Sequence, residues 1–541
     1  MLKDEKAALE ILEQIQKLRD KAKELFRCRS ASGKQWDEPV ALLQTMLAEL
    51  QPILQQFAAE EPALMAHLMC QNVSASLENI RRLKEQDSPR LPDKIQYELI
   101  PLIEELYVDL LFWGTCYPSR EKMQDYYSGQ MKELCPLPQE KGPYRYEVSV
   151  IVVAYNKLEY TKKCIQHIQQ YFPADISHEL ILVNNGSIDG TKEYFESLNP
   201  TKQIDIAHNT KSFSVVGRVV EGKYILFISN DVLITPGTVS NLLYCIQSDP
   251  KIGCVVPTCP NVSCYQHIPA KYGNAQELIA FARQNNQPDP FRWEERPKVV
   301  TPILLTRSDA EYFYAFAGYR YPFFAQRFLA FSDDLLSMLV RRNGQKNILA
   351  KDSYVFHFGS ITIQENVNQK LHAEGRQAFF NAFGIDPWGK GFCFEPALME
   401  ALPLNETGPV NVLGVNCGMG SNPLKIRDLL KEKARNLQVT VYNITHEQQF
   451  WPDLEQLADQ AVFLTDWTQF AAAFSPVKFR YILVDRSMME PESFKTMLSQ
   501  LYERLEAGGT LAAVLPEGIS PSHLSFASTA TQAGAWTLWR R

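Results

Sequence analysis

The middle of the chain alternates two patterns that do not share one element. VSVIVVAYN (148–156) is a short apolar run rich in β-branched residues, and TKKCIQHIQQYF (161–172) places apolar residues at helical spacing. ELILVNNGSIDGT (179–191) returns to the strand pattern, and KEYFESL (192–198) to the helical one. Short runs that are apolar throughout suit strands covered on both faces. Strands alternating with helices predict an α/β domain on a mostly parallel sheet. Such sheets bind ligands beyond the carboxyl ends of their strands. Polar clusters stand at those ends: Tyr155-Asn156, Asn184-Asn185-Gly186-Ser187 and, after the run YILFI (224–228), Ser229-Asn230-Asp231. A carboxylate where a buried strand ends is unfavourable unless something pairs with it. Asp231 therefore calls for a partner.

At 541 residues the chain is too long for one core, and about three domains are expected. From Leu2 to about Leu134 apolar residues recur at helix spacing, as in Leu9, Ile11, Leu12, Ile15 and Leu18. Pro and Gly are sparse inside these runs, so residues 1–134 read as an antiparallel helical bundle. Its breaks fall at RSASGKQWDEP, near Glu61-Pro62, and at QDSPRLPDK. CPLPQEKGPYRYE is a linker, and the α/β domain spans 147–384. GIDPWGKGFCFEPALMEALPLNETG reads as a second linker. The third region, 408–541, opens with PVNVLGVNCGMGSNP, a strand, a glycine loop and a helix start. QVTVYNIT, AVFLTDW, FRYILVDR and TLAAVLP are its further strand candidates, which makes it Rossmann-like.

The formal net charge of -7, without a long basic run, gives no support for nucleic-acid binding. The start, MLKDEKAALEILEQ, reads as a charged amphipathic helix rather than a signal peptide. The most apolar candidate span, LIEELYVDLLFW, carries Glu104, Glu105 and Asp109, so no transmembrane segment is expected. A reducing, cytoplasmic location is the default. The eleven cysteines are scattered. Cys254, Cys259 and Cys264 are evenly spaced but match no metal pattern, and they read as reduced, buried thiols.

Four motifs in order carry a resemblance. VSVIVVAYNKLEYTKKCI, LVNNGSIDGT, GKYILFISNDV and FSDDLLSMLVRRNGQKNILAKDSYVFHFGSIT together resemble the family 2 glycosyltransferases, which have a GT-A fold and use nucleotide sugars. Moving a sugar from a nucleoside diphosphate requires three things: the leaving diphosphate neutralised, the acceptor hydroxyl deprotonated and the donor held in line. The resemblance implies Asp231 and His357 as ligands of Mn2+ or Mg2+. The first carboxylate of the family's Asp-x-Asp is absent, since Ser229 stands there. The resemblance implies Asp333 as the base, with Asp334 as runner-up; helix neighbours point about 100° apart, so only one of them can aim at a given acceptor oxygen. Helix-dipole stabilisation is the alternative role for both acids. A base acting in one displacement inverts the anomeric centre.

Ala154, Tyr155, Asn156, Asn184, Asn185, Asp189, Lys211 and Asn230 are implied around the nucleotide, with Arg218 a further basic candidate. Asn184 replaces an acid and offers a carbonyl to a uracil N–H. Asp189 suits a turn or cap equally well. A UDP-sugar is the implied donor. The layout is similar to bacterial enzymes that glycosylate flagellin or other proteins on Ser or Thr, and a glycan acceptor is the alternative. Oligomerisation is open. A non-catalytic scaffold is a third reading, prompted by the missing first Asp.

VLGVNCGMGSNP resembles the glycine loop of S-adenosylmethionine-dependent methyltransferases, over roughly Val410 to Leu515. Gly414, Asn416 and Asn443 depart from that family's pattern, while Asp466 remains as an adenine-side candidate. The departures favour a degenerate structural or docking domain over a bifunctional glycosyltransferase–methyltransferase.

Overall fold

The computed structural model describes residues 5–60, 65–111, 143–210, 212–310, 331–359, 365–466, 469, 473–485, 490–524, 526 and 530–541. The architecture is mixed α/β, with a helical N-terminal region and Rossmann-like sheets. The chain divides into two compact units. The first holds residues 1–239, 302–339 and 355–375, and the second 240–301, 340–354 and 376–541.

In the first unit, helices Glu5–Arg27, Lys34–Glu60 and Ala66–Glu85 are followed by Leu91–Lys94, a π-helical turn Ile95–Leu99 and helix Ile100–Leu111. Ile11, Leu12, Ile15, Leu18, Ala22 and Leu25 form the buried stripe of the first helix. Leu43, Leu47, Leu50 and Leu54 do the same on the second, and Met69, Val73, Leu77 and Ile80 on the third. Each stripe follows the helical repeat, and burying it is what keeps these helices folded. The first expected break is shorter than its composition suggests, since the second helix already begins at Lys34.

Strands are numbered along the chain. The first unit has β1 (Tyr146–Ala154), β2 (His178–Asn185), β3 (Lys202–Ile206), β4 (Gly222–Ser229), β5 (Val232–Leu233), β8 (Ile303–Arg307) and β10 (Phe356–His357). The order β3-β2-β1-β4-β8 is parallel except for β8. The register sets Ala154 beside Asn184 and Val153 beside Ser229. The three polar clusters are thereby lined up at one end of the sheet. The helical region packs on β3: Lys94 Nζ lies 2.6 Å from both Glu98 and Asp205 carboxylates, and Glu98 also accepts from the Asp205 N–H at 2.8 Å. Asn72 accepts from His208 N at 2.8 Å and donates to Thr210 Oγ1 at 3.1 Å.

In the second unit, β9 (Lys346–Tyr354) pairs parallel with β6 (Ile252–Thr258) and antiparallel with β7 (Trp293–Glu295). A separate sheet comprises β11 (Val410–Val415), β12 (Val439–Thr445), β13 (Gln460–Phe463), β14 (Phe479–Val484), β15 (Leu505–Ala513), β16 (Ala530–Ala533) and β17 (Trp536–Arg540). Its order is β13-β12-β11-β14-β15-β17-β16, with β17 antiparallel to both neighbours. Helix Ser421–Lys433 brings Lys425 Nζ to 2.6 Å from Glu294 and Arg427 to 2.9 Å from Glu295. Lys351 Nζ sits 2.9 Å from Glu294, which Arg296 also contacts.

Burial pushes the Glu294 carboxyl up, but Arg296, Lys425 and Lys351 outweigh it and hold it well below the usual carboxylate range. A carboxyl with a depressed folded pKa adds stability above its unfolded value and loses it as pH falls. The urea midpoint of the protein should therefore drop as pH goes from about 6 to about 3.5, and Glu294→Gln should flatten that drop. Equal slopes in the two proteins would overturn this account of Glu294.

The stretch 384–408 is not slack. It contains helix Pro396–Ala401, and Leu398, Leu402 and Leu404 are buried in one cluster with Val410, Val412 and Ile426. The stretch expected as a linker thus buries leucines against the sheet that follows it.

Candidate active site

Asp231 follows the end of β4, and its backbone carbonyl accepts from Phe358 N at 3.1 Å. β5 and β10 pair antiparallel, His357 opposite Val232 and Phe356 opposite Leu233. This short ladder carries His357 Nε2 to 3.3 Å from Asp231 Oδ2. Asp231 is 6% exposed and His357 9%. The strand bearing His357 is held from helix Leu158–Tyr171: Tyr160 meets Phe358 edge-on at 4.8 Å, and Lys163 lies over the Phe358 ring at 5.5 Å. Beneath, Cys164 Sγ donates to Ser229 O at 3.7 Å, and burial, with Asp231 nearby, pushes that thiol well up.

Among the described residues no group of three or more His, Cys, Asp and Glu gathers to form a metal cage. A carboxylate oxygen and an imidazole nitrogen facing each other at 3.3 Å fit two positions of a divalent-cation shell.

The strand ends hold one another. Asn156 has a left-handed backbone (φ 55), accepts from Ile188 N at 2.9 Å and donates its own N–H to Ser187 Oγ at 2.8 Å. Asn184 Oδ1 accepts from Ser187 N at 3.0 Å, which closes the turn after β2. Asn185 donates to Asn209 Oδ1 at 2.8 Å and accepts from Thr210 N at 3.3 Å. Asn230 donates to Thr161 Oγ1 at 3.0 Å and Asn156 O at 3.3 Å. Asp189 accepts from Leu158 N at 2.8 Å and from Thr191 Oγ1 at 2.6 Å, at the starts of two helices. Burial raises its carboxyl, but Thr191 and the backbone N–H groups hold it below the ordinary value. Gly186 is needed here: its φ is +84, and a Cβ would come 2.8 Å from Asn209 N. The asparagine side chains thus hold the turns at the strand ends, while Tyr155, 39% exposed, offers its ring outward beside buried Ala154.

Asp333 and Asp334 lie in the first turn of helix Ser332–Arg342. Asp334 is buried and Asp333 half-buried, so Asp333 is the more open of the two. Arg218 turns toward the helical region, 3.4 Å from Glu104. Lys211 lies outside the described residues. Ser187 belongs to a polar cluster named from the sequence, whereas Thr161, Asn209 and Phe358 were not singled out, and nothing local marked them.

The glycine loop of the second unit is engaged by its own chain. Met419 N donates to Lys390 O at 3.2 Å and Ser421 N to Gly391 O at 3.1 Å. A Cβ on Gly418 would come 2.3 Å from Lys390 O. Asn443 Oδ1 would lie 2.4 Å from a Cβ on Gly414. Asp466 is exposed.

Residues 149–321 match the family model described as Glycosyl transferase family 2. No curated protein matches the chain. Among solved structures, it is similar to GalNAc-T7 with UDP, GalNAc and Mn2+, at 12% identity and a TM-score of 0.31, covering 42% of this chain and 46% of that one. It therefore spans less than half the length of that protein. It is similar to the mannosyltransferase PcManGT from Pyrobaculum calidifontis, in complex with GDP-Man and Mn2+, at 13% identity and a TM-score of 0.30, covering 62% and 80%. For S. aureus TarS 1–349 in complex with UDP-GlcNAc the values are 15% identity and 0.29, covering 43% and 67%. At such scores these likenesses assign no donor, metal or acceptor to this chain. What the family match supports is a Glycosyl transferase family 2 domain over residues 149–321.

Proposed function

We propose that this protein is an inverting glycosyltransferase that moves a sugar from a nucleoside diphosphate, a UDP-sugar first, to a hydroxyl group. The observation that carries the reading is the pair Asp231 and His357, 3.3 Å apart beside the end of β4, with Asp231 inside the residues that match the family 2 model. They would hold Mn2+ or Mg2+, which when bound neutralises charge on the leaving diphosphate. Tyr155 flanks the nucleotide, and the knit turns of Asn156, Asn184, Asn185, Asp189 and Asn230 keep the floor of the site in place. Asn184 already gives one lone pair to Ser187 N, so its second lone pair is what remains for a base N–H. Asp333 takes the proton from the acceptor hydroxyl, with buried Asp334 as the alternative base. One displacement from the face opposite the leaving group then inverts the sugar carbon.

A Ser or Thr hydroxyl of a protein such as flagellin is the acceptor we favour, with a glycan as the alternative. No described helix is long and apolar enough to cross a membrane; we place the enzyme in the cytoplasm. A second, methyl-transferring activity is disfavoured because Lys390 and Gly391 already take N–H groups of the glycine loop.

Thermal unfolding with UDP, with and without Mn2+, tests the reading, with GDP and S-adenosylmethionine as comparisons. UDP at about 100 times its dissociation constant should add about 2.7 kcal/mol, and only with metal present. No shift with either nucleotide, even with metal, would sink it and favour a non-catalytic scaffold. Stabilisation by S-adenosylmethionine would restore the bifunctional reading.

A further inference from the structure

Of the three evenly spaced cysteines, Cys254 and Cys259 are buried, whereas Cys264 is half-buried in the loop after β6. It meets Cys393, also half-buried, in the stretch 384–408. The sulfurs of Cys393 and Cys264 stand 2.6 Å apart, although 129 positions separate them in sequence. The surroundings are cationic and aromatic. Arg296 donates to the Cys264 carbonyl at 3.4 Å. Tyr265 lies 5.0 Å from Phe394, and Arg296 and Lys425 stand over the Phe394 ring at 5.1 and 4.6 Å. Cys264 and Tyr265 both have left-handed backbones, with φ of 58 and 53. The contact with Cys393, with Lys298 and Arg296 nearby, holds the Cys264 thiol below its ordinary value against burial. The same contact, with burial, pushes Cys393 up. One sulfur is thus a ready nucleophile and the other a thiol in contact with it.

We propose that Cys264 and Cys393 form a reversible disulfide, a redox latch between the loop after β6 and the segment that lies across the glycine loop. The oxidant is a low-molecular-weight disulfide. The Cys264 thiolate attacks one of its sulfurs, forming a mixed disulfide and releasing one thiolate. Cys393 then loses its proton and attacks the Cys264 sulfur, releasing the second thiolate. Two protein thiols become one disulfide, and the small disulfide becomes two thiols. A small dithiol reverses both steps. The consequence lies in the segment the latch holds. Gly391 O and Phe392 O accept from Ser421 N and Oγ at 3.1 and 2.8 Å, and Glu395 N donates to Asn422 Oδ1 at 2.8 Å. A bond at Cys393 pins these contacts and restricts the unfolded chain.

The test incubates the full chain with glutathione disulfide or dithiothreitol, then maps peptides without reduction. We expect one cross-linked pair, containing Cys264 and Cys393, that dithiothreitol removes. Cys393→Ser should stop at one glutathionyl group on Cys264, and Cys264→Ser should give no cross-link to Cys393. The unfolding midpoint of the wild type should rise on oxidation. The latch is overturned if both cysteines stay open to iodoacetamide after oxidation, if either pairs elsewhere, or if the midpoint does not rise.

Discussion

Replacing Asp231 by Asn should lower sugar transfer by about 10²–10³-fold and remove the Mn2+-dependent stabilisation by UDP. The substitution keeps the side chain's shape, and the carboxylate is what changes. His357 and Asp231 face each other at 3.3 Å, so under the proposed assignment loss of one donor would leave the cation a single protein ligand. His357→Gln should weaken metal dependence in the same direction, and the midpoint in metal should move to higher Mn2+ concentration. The measurement is transfer from a panel of UDP-sugars alongside thermal unfolding. Wild-type activity in Asp231→Asn would dissolve the metal assignment. Loss of activity with the UDP and Mn2+ stabilisation intact would instead move Asp231 from metal holding to another step.

The largest effect on stability should come from Lys202, at the start of β3. Its ammonium lies 2.5 Å from Glu179 and 2.6 Å from Glu221, and it donates to Val219 O at 2.7 Å. Glu179 is fully buried and also accepts from Ser149 Oγ at 2.5 Å and Glu221 N at 2.6 Å. Lys202→Met leaves that carboxylate without its counter-charge, which should cost about 3–5 kcal/mol. Replacing Glu179 by Gln in the same chain should recover part of the loss. Urea unfolding measures both. A cost below about 1 kcal/mol for Lys202→Met would show that Glu179 does not depend on the lysine.

Much of the architecture was legible because burial writes itself into periodicity. VSVIVVA, ELILV and YILFI are dominated by apolar, largely β-branched residues, which marked them as buried strands. The helical stripes of the first residues were equally plain. Hydrogen bonds between distant side chains left no such trace. Asn184, Asn185 and Asn230 look alike in sequence, whether they face a nucleotide or a neighbouring turn. Their partners Ser187, Thr210 and Thr161 are fixed only when strands align. His357 could be found only through the resemblance, since it reaches Asp231 by way of a two-residue ladder between distant segments. The stretch 384–408 reads as a linker because the residues it packs on are distant in sequence. Here Gly391 lets two backbones touch, as a Cβ there would come 2.2 Å from Cys417 O.

The packing of the helical region on β3 bears on how the enzyme can be cut. β3 is the terminal strand of its sheet's order, and beyond it the sheet would end in unpaired N–H and C=O groups. Glu98 takes the outward N–H of Asp205, and Asn72 takes that of His208. Those two side chains substitute for a missing neighbour strand. A fragment begun at Tyr146 would present a raw edge able to recruit another chain by strand addition, with Asp205 stripped of Lys94. The helices thus act as a selvedge for the sheet, and the smallest well-behaved piece containing the site has to begin upstream of Asn72.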